Sequence, residues 1–141
     1  METSKGTVYV KWIASKFMTG VDSRGNPVAM GRDLDREPPW SGMKPSDLLL
    51  LAAASCSTYD VVMILEKQRD PFESVEVTCI GEQENEPPYK FVSIHLHYKI
   101  KGALKPEKVQ RAINLSEEKY CSVTNTLKQA VSITSDFELF N

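Results

Sequence analysis

The sequence predicts a single-domain α+β fold over residues 1–141, and three observations carry that expectation. Segments that alternate apolar and polar at period two occur early, in the middle and at the end of the chain. One apolar run, Leu48–Leu65, is too long for a strand and reads as a helix. The order is strands, a central helix, two strands, helices and a last strand, which is α+β and not a repeating βαβ pattern. At 141 residues the chain has the size of one domain and should bury roughly two-thirds of its unfolded surface.

Thr7–Ile13 is rich in β-branched and aromatic residues, with Val8, Val10 and Trp12 on one face of a strand. The turn-forming stretch Asp22-Ser23-Arg24-Gly25-Asn26-Pro27 lies between the apolar segments Phe17–Val21 and Val28–Met30, the pattern of a hairpin. Residues 31 to 44, with Pro38, Pro39, Ser41 and Gly42, have no period and form a connecting loop. Pro45 suits the first position of a helix, and Ser46 and Asp47 put polar and negative groups where the dipole favours them. That helix should run to about Arg69 and end before Pro71. Its middle is apolar on every side, so it is expected to be covered on every side by protein, either by a wrapping sheet or by a second subunit.

Ser74–Ile80 and Phe91–Ile100 alternate and should pair antiparallel across a polar loop containing Pro87 and Pro88. Pro106 opens a second helix with the stripe Val109, Ala112, Ile113 and Tyr120. Leu127, Ala130 and Val131 predict a short third helix with Ser122 as its cap, and Ile133, Ser135, Phe137 and Leu139 alternate as a closing strand. No internal repeat or low-complexity segment is present.

A net charge of −2 with interspersed signs gives no basic footprint for nucleic acid and no polybasic membrane patch. Three cysteines, an odd number, behind an N-terminus (Met1-Glu2-Thr3-Ser4-Lys5) without an apolar leader argue against a secreted disulfide framework and for a cytoplasmic location. The run Leu48–Leu65 approaches membrane-spanning length. It contains Asp60 among Ser55, Ser57, Thr58 and Tyr59, and a carboxylate at a bilayer centre costs about 3 kcal/mol or more. A helix buried by protein is expected.

Chemistry in this chain rests on cysteine. A lone helical cysteine such as Cys56 is ordinarily a small packing residue, but the hydroxyls and Asp60 around it must be hydrogen-bonded if buried. Asp60 lies one turn after Cys56 on the same face, which opposes a Cys56 thiolate unless a cation intervenes; Arg24, Arg32 and Arg36 are the arginines upstream. Cys121 lies at the predicted start of the short helix, where backbone N–H groups stabilise a thiolate. Cys79 alternates with Val75 and Val77 on an apolar strand face and reads as packing. His95 and His97 share the opposite strand face, and a pair so spaced holds a metal only with further ligands. No CxxC or HExxH supplies them, so no metal and no cofactor is expected. The chain also lacks GxGxxG, Walker A and GxSxG signatures, which argues against nucleotide binding and serine hydrolysis.

Two segments carry a family resemblance. Lys44-Pro45-Ser46-Asp47-Leu48-Leu49 through Cys56-Ser57-Thr58-Tyr59-Asp60-Val61-Val62 resembles the central helix motif of the OsmC/Ohr family. Leu115-Ser116-Glu117-Glu118-Lys119-Tyr120-Cys121-Ser122-Val123 resembles its second-cysteine motif, above all in the YhfA-like branch. The resemblance covers nearly the whole chain. It implies antiparallel sheets wrapped around long central helices in an intertwined homodimer with active sites at the subunit interface. It also implies a thiol-dependent peroxidase for organic hydroperoxides, with Cys56 attacking peroxide, Cys121 resolving the product as a disulfide, and an external dithiol as reductant. One position departs from the hydroperoxide-reductase pattern: Ser46 stands where a glutamate orients the activating arginine, and Asp47 follows it, about 100° further around the helix. The resemblance places the arginine in the N-terminal part, where Arg24, Arg32 and Arg36 are the candidate donors and Arg24 or Arg36 is favoured. An apolar-ligand-binding dimer without catalysis, or a redox sensor, would use the same fold and the same thiols.

Overall fold

A computed structural model describes all residues, Met1–Asn141. It divides into two compact units, Met1–Leu49 and Leu50–Asn141.

The first unit is a three-stranded antiparallel meander, β1 (Tyr9–Ala14), β2 (Lys16–Val21) and β3 (Pro27–Arg32). The predicted hairpin lies between β2 and β3. Its turn is held by Asp22, whose Oδ1 accepts from the backbone N–H of Arg24 and of Asn26, each at 2.8 Å. Gly25, at φ +88°, takes a backbone conformation that a side chain would strain. Those hydrogen bonds, with Asn26 first, hold the Asp22 carboxyl below its ordinary pKa. β1 starts at Tyr9, two residues later than the alternation predicts, and every residue in it is exposed. The connecting loop returns to β3, where Met43 N–H donates to Ala29 O at 2.9 Å and the Met43 carbonyl oxygen accepts from Gly31 N–H at 2.8 Å.

The long helix α1 spans Pro45–Lys67, with Pro45 first and Asp47 in the first turn as predicted. Arg69, in the left-handed region at φ +58°, and Pro71 follow its end. By length and composition α1 could cross a membrane. Its buried residues form one stripe, Ala53, Ser57, Asp60, Val61, Ile64 and Leu65, at helical spacing. The expectation of burial on all sides fails for the single chain, because Leu51 is 45% and Tyr59 73% exposed.

The second unit is built on a three-stranded mixed sheet, β4 (Phe72–Gln83), β5 (Phe91–Gly102) and β6 (Ser132–Phe140), with β5 in the middle. β4 and β5 form the predicted antiparallel pair. β6 instead runs parallel to β5, because the chain between them crosses over through α2 (Pro106–Leu115), a wide π turn at Ser116–Tyr120, and α3 (Ser122–Leu127). Val61, Ile64 and Leu65 of α1 pack on Leu96, Tyr98 and Ile100 of β5 and on Val109, Ala112 and Ile113 of α2. Cys79 packs against that core from β4. Tyr120 does not continue the α2 stripe: the π turn shifts the helical register, and its side chain stays 47% exposed.

Candidate active site

Two polar residues interrupt the buried stripe of α1, Ser57 and Asp60, and both are partnered from the crossover segment. Asp60 Oδ2 accepts from Ser116 Oγ at 3.0 Å, and Ser57 Oγ donates to Cys121 Sγ at 3.5 Å. The π turn delivers these partners. It ends with Cys121 N–H donating to Ser116 O at 2.8 Å, and the Asn125 side-chain amide clamps it by donating to the carbonyls of Glu117 (2.9 Å) and Cys121 (2.8 Å). Cys121 itself is the cap of α3, in place of Ser122: its backbone is extended, and its sulfur accepts from Thr124 N–H at 3.4 Å. The sulfur thus takes the place that the serine hydroxyl was expected to fill.

This arrangement brings Cys56 and Cys121 together. Both sulfurs and an Asp60 carboxylate oxygen lie within 4.8 Å of one another, and all three cysteines are free thiols. Cys56 is half-buried, with Sγ 3.9 Å from Ser122 Oγ, whereas Cys121 is fully enclosed. The sulfurs need only close to about 2.05 Å to form a disulfide. The same two sulfurs and the carboxylate could hold a soft divalent ion, although one carboxylate oxygen is already engaged by Ser116.

The two thiols titrate in opposite directions. Burial pushes the Cys56 thiol up, and the Cys121 sulfur adds to this; the Val123 backbone only partly offsets them. Burial also pushes Cys121 up, but the Thr124 hydroxyl, the Ser57 hydroxyl, the Thr124 N–H and Cys56 together outweigh it and hold Cys121 below the ordinary thiol value. Of the two thiols, Cys121 is therefore the more acidic. None of the principal groups acting on either sulfur is a lysine or arginine.

A fully buried phenol, Tyr98, completes the surroundings. Its hydroxyl makes no hydrogen bond of good geometry, and neither do Thr124 Oγ1 and Glu117 Oε1. Burial raises the Tyr98 phenol well above its ordinary range, an effect that the nearby Ser57 hydroxyl partly offsets. Ser57, Ser116, Thr124, Asn125 and Tyr98 were not legible as site residues in the sequence. For Ser57 alone a signal existed, a hydroxyl in a run that had to be buried.

The other expected site residues belong to the first unit. Arg24 lies in the exposed turn between β2 and β3. Arg36 Nε is 3.4 Å from Asp33 Oδ2, and its guanidinium lies 6.0 Å from the centre of the Phe17 ring. Arg32 lies 5.7 Å from the Trp40 ring centre. Asp47 is exposed in the first turn of α1.

A mixed α+β fold with a close pair of thiols between a long helix and a π turn defines the class, and the chain belongs to the OsmC-like protein family, whose model matches residues 37–136. It is 39% identical over 132 residues to Protein YhfA of Escherichia coli (strain K12), covering 92% of this chain and 95% of that protein. The crystal structure of an OsmC-like protein from Mycoplasma pneumoniae superposes with a TM-score of 0.83 at 16% identity, covering 99% of this chain and 100% of that one. An organic hydroperoxide resistance protein OsmC from Legionella pneumophila gives a TM-score of 0.70 at 15% identity, covering 98% and 99%. At such identities the two structures establish the shared fold.

Proposed function

We propose that the chain is a cytoplasmic, homodimeric thiol peroxidase that reduces organic hydroperoxides. The observation that carries the proposal is the unequal pair of sulfurs, Cys56 open to solvent and Cys121 enclosed beside it within 4.8 Å. A peroxide reaches only Cys56. Its thiolate attacks the distal oxygen, the O–O bond breaks, and the alkoxide leaves as alcohol with a proton from solvent. The resulting Cys56 sulfenic acid is attacked by the Cys121 thiolate, the S–O bond breaks, the hydroxide leaves as water with a proton from solvent, and a disulfide forms. A dithiol of external origin reduces it. The lowered pKa of Cys121 suits the resolving role, since this sulfur is the nucleophile of the second step.

Cys56 requires a cation for the first step, because its surroundings disfavour the thiolate. On the family resemblance that cation is Arg24 or Arg36, with Asp47 as the orienting carboxylate. Dimerisation is supported by large apolar side chains left exposed in the single chain, including Trp12 in one unit and Leu51, Tyr59 and Ile80 in the other. Free thiols suit a reducing compartment.

The test is turnover of cumene hydroperoxide with a dithiol reductant. Cys56→Ser should abolish peroxide consumption, and Cys121→Ser should leave a sulfenate that dimedone traps. Wild-type turnover in both variants would refute the mechanism, and stoichiometric oxidation without turnover would indicate a sensor instead.

A further inference from the structure

The buried carboxylate of Asp60 has no counter-charge in this chain. Asp60 is 7% exposed, its side chain's one hydrogen-bond partner is the neutral Ser116 hydroxyl at 3.0 Å, and no lysine, arginine or histidine forms an ion pair with it. Buried charges are ordinarily paired or bound to a metal, because taking a lone carboxylate out of water is costly. What lies beside Asp60 instead is sulfur: one ligand atom each from Cys56, Asp60 and Cys121 lies within 4.8 Å of the other two. Cys56 and Asp60 come from one face of α1, a turn apart, and Cys121 from the cap of α3. A second cluster of candidate ligands, on the outer face of β5 and β6, differs in kind. There His95 Nε2–H and His97 Nδ1–H donate to Asp136 Oδ1 at 2.9 and 2.7 Å, so that carboxylate is already satisfied by its neighbours.

We propose that Cys56 Sγ, Cys121 Sγ and a carboxylate oxygen of Asp60 bind one zinc-like divalent ion while both cysteines are reduced, with water as the fourth ligand on the open Cys56 side. Thiolates select zinc and other soft ions, whereas calcium and magnesium prefer oxygen donors. Zinc–sulfur bonds of about 2.3 Å and zinc–oxygen bonds of about 2.0–2.2 Å set tetrahedral donors about 3.5–3.8 Å apart, so the three groups close by at most about 1.3 Å. A disulfide demands a larger movement of the sulfurs, to about 2.05 Å. Partners that orient the ligands are in place. Ser116 Oγ holds Asp60 Oδ2 and leaves the carboxylate's other lone pairs free, while Ser57 Oγ at 3.5 Å and Thr124 N–H at 3.4 Å donate to Cys121 Sγ. Two thiolates and a carboxylate exceed the charge of the ion by one, and these donors spread the surplus. Half-buried Cys56 gives the ion a path in. Binding forms two metal–sulfur bonds and releases the two thiol protons to solvent, with no oxidant or reductant consumed. The disulfide form has no thiolate to offer and cannot hold the ion, so ion and peroxide compete for the Cys56 sulfur.

The test uses the full chain, kept reduced by a phosphine so that the buffer offers no competing sulfur. Calorimetric titration with zinc chloride should show one ion per chain, and cobalt(II) should give the near-ultraviolet sulfur-to-cobalt charge-transfer band. Losing an outer partner of a metal ligand costs about 10–100-fold in affinity, and losing a ligand costs more. Cys56→Ser and Cys121→Ser should therefore each weaken zinc binding by more than about 100-fold. Asp60→Asn, which still accepts from Ser116, should weaken it at least about tenfold, and Cys79→Ala should leave it unchanged. Zinc should raise the thermal midpoint of the wild-type and Cys79→Ala chains and not that of Cys121→Ser. One equivalent of zinc should also shield Cys56 from alkylation by iodoacetamide, with the reaction restored by a chelator. Because binding needs no peroxide, zinc held by a chain that turns over no hydroperoxide would keep this site and remove only the peroxidase reading. Absence of stoichiometric binding in the reduced chain, or unchanged zinc affinity in both Cys56→Ser and Cys121→Ser, overturns the proposal.

Discussion

Ser57→Ala removes the hydroxyl that donates to Cys121 Sγ at 3.5 Å and leaves the Thr124 N–H at 3.4 Å in place. Hydrogen bonds to charged acceptors are worth about 1.5–3 kcal/mol, and the length of this one puts it at the low end, about 1.5 kcal/mol. That corresponds to about a tenfold smaller thiolate-to-thiol ratio at any pH where both forms are present. The assay is the ultraviolet absorbance of the thiolate across a pH titration, in a Cys56→Ser/Cys79→Ala background so that Cys121 alone responds. The titration midpoint should move to higher pH. Stability follows the same sign. A thiol whose folded pKa is depressed contributes stability that is complete above the ordinary thiol pKa and is lost as pH falls through the folded one. Ser57→Ala should therefore shrink the stability gained on going to alkaline pH, and have little effect through Cys121 in acid. A midpoint that stays in place or moves down would refute the assignment of Ser57 as a stabiliser of the Cys121 thiolate.

Three further outcomes follow from the packing. Ser116→Ala strips the buried Asp60 carboxylate of its 3.0 Å donor and should cost about 1.5–3 kcal/mol in urea unfolding; a loss under about 0.5 kcal/mol would mean that Asp60 finds another partner. Tyr98→Phe deletes a buried hydroxyl that has no partner, so stability should hold or rise by up to about 1 kcal/mol, and a clear loss would reveal a bound water or ligand on that hydroxyl. Leu65→Ala empties a fully buried position between α1, β5 and α2 and should cost about 2–5 kcal/mol by the same measurement, with a loss under 1 kcal/mol showing that the core closes over the space.

The elements most legible in the sequence were those whose signal is local. Pro45 with Asp47 marked the start of α1, and the Asp22–Asn26 turn marked the hairpin of β2 and β3, because a proline ring and an Asx turn act within a few residues. The pairing of β6 was not legible. Ile133, Ser135, Phe137 and Leu139 alternate in the same way whichever direction the strand runs, so the parallel register with β5, and with it Asp136 beside His97, depends on the crossover path. Tyr120 was misplaced for a related reason: a π turn changes the helical period without any distinctive residue to announce it.

The candidate site divides along the same line. Cys56 and Cys121 stand out in the sequence because each lies in a recognisable motif, and their chemistry is a property of the residue. Their difference in acidity is not. It arises because Ser57, 64 positions from Cys121, and Thr124, three positions away, both aim a donor at one sulfur. The sequence by itself determined the composition of the elements, the family and the identity of the two thiols, since periodicity, capping and motif are written along the chain. Only the tertiary structure decided that the sulfurs meet, which of them is the more acidic, and that β6 supplies the carboxylate between the two histidines. Those outcomes depend on distances of a few ångströms between residues far apart in sequence, and hydrogen bonding and charge interaction fall off too steeply with distance for spacing along the chain to set them.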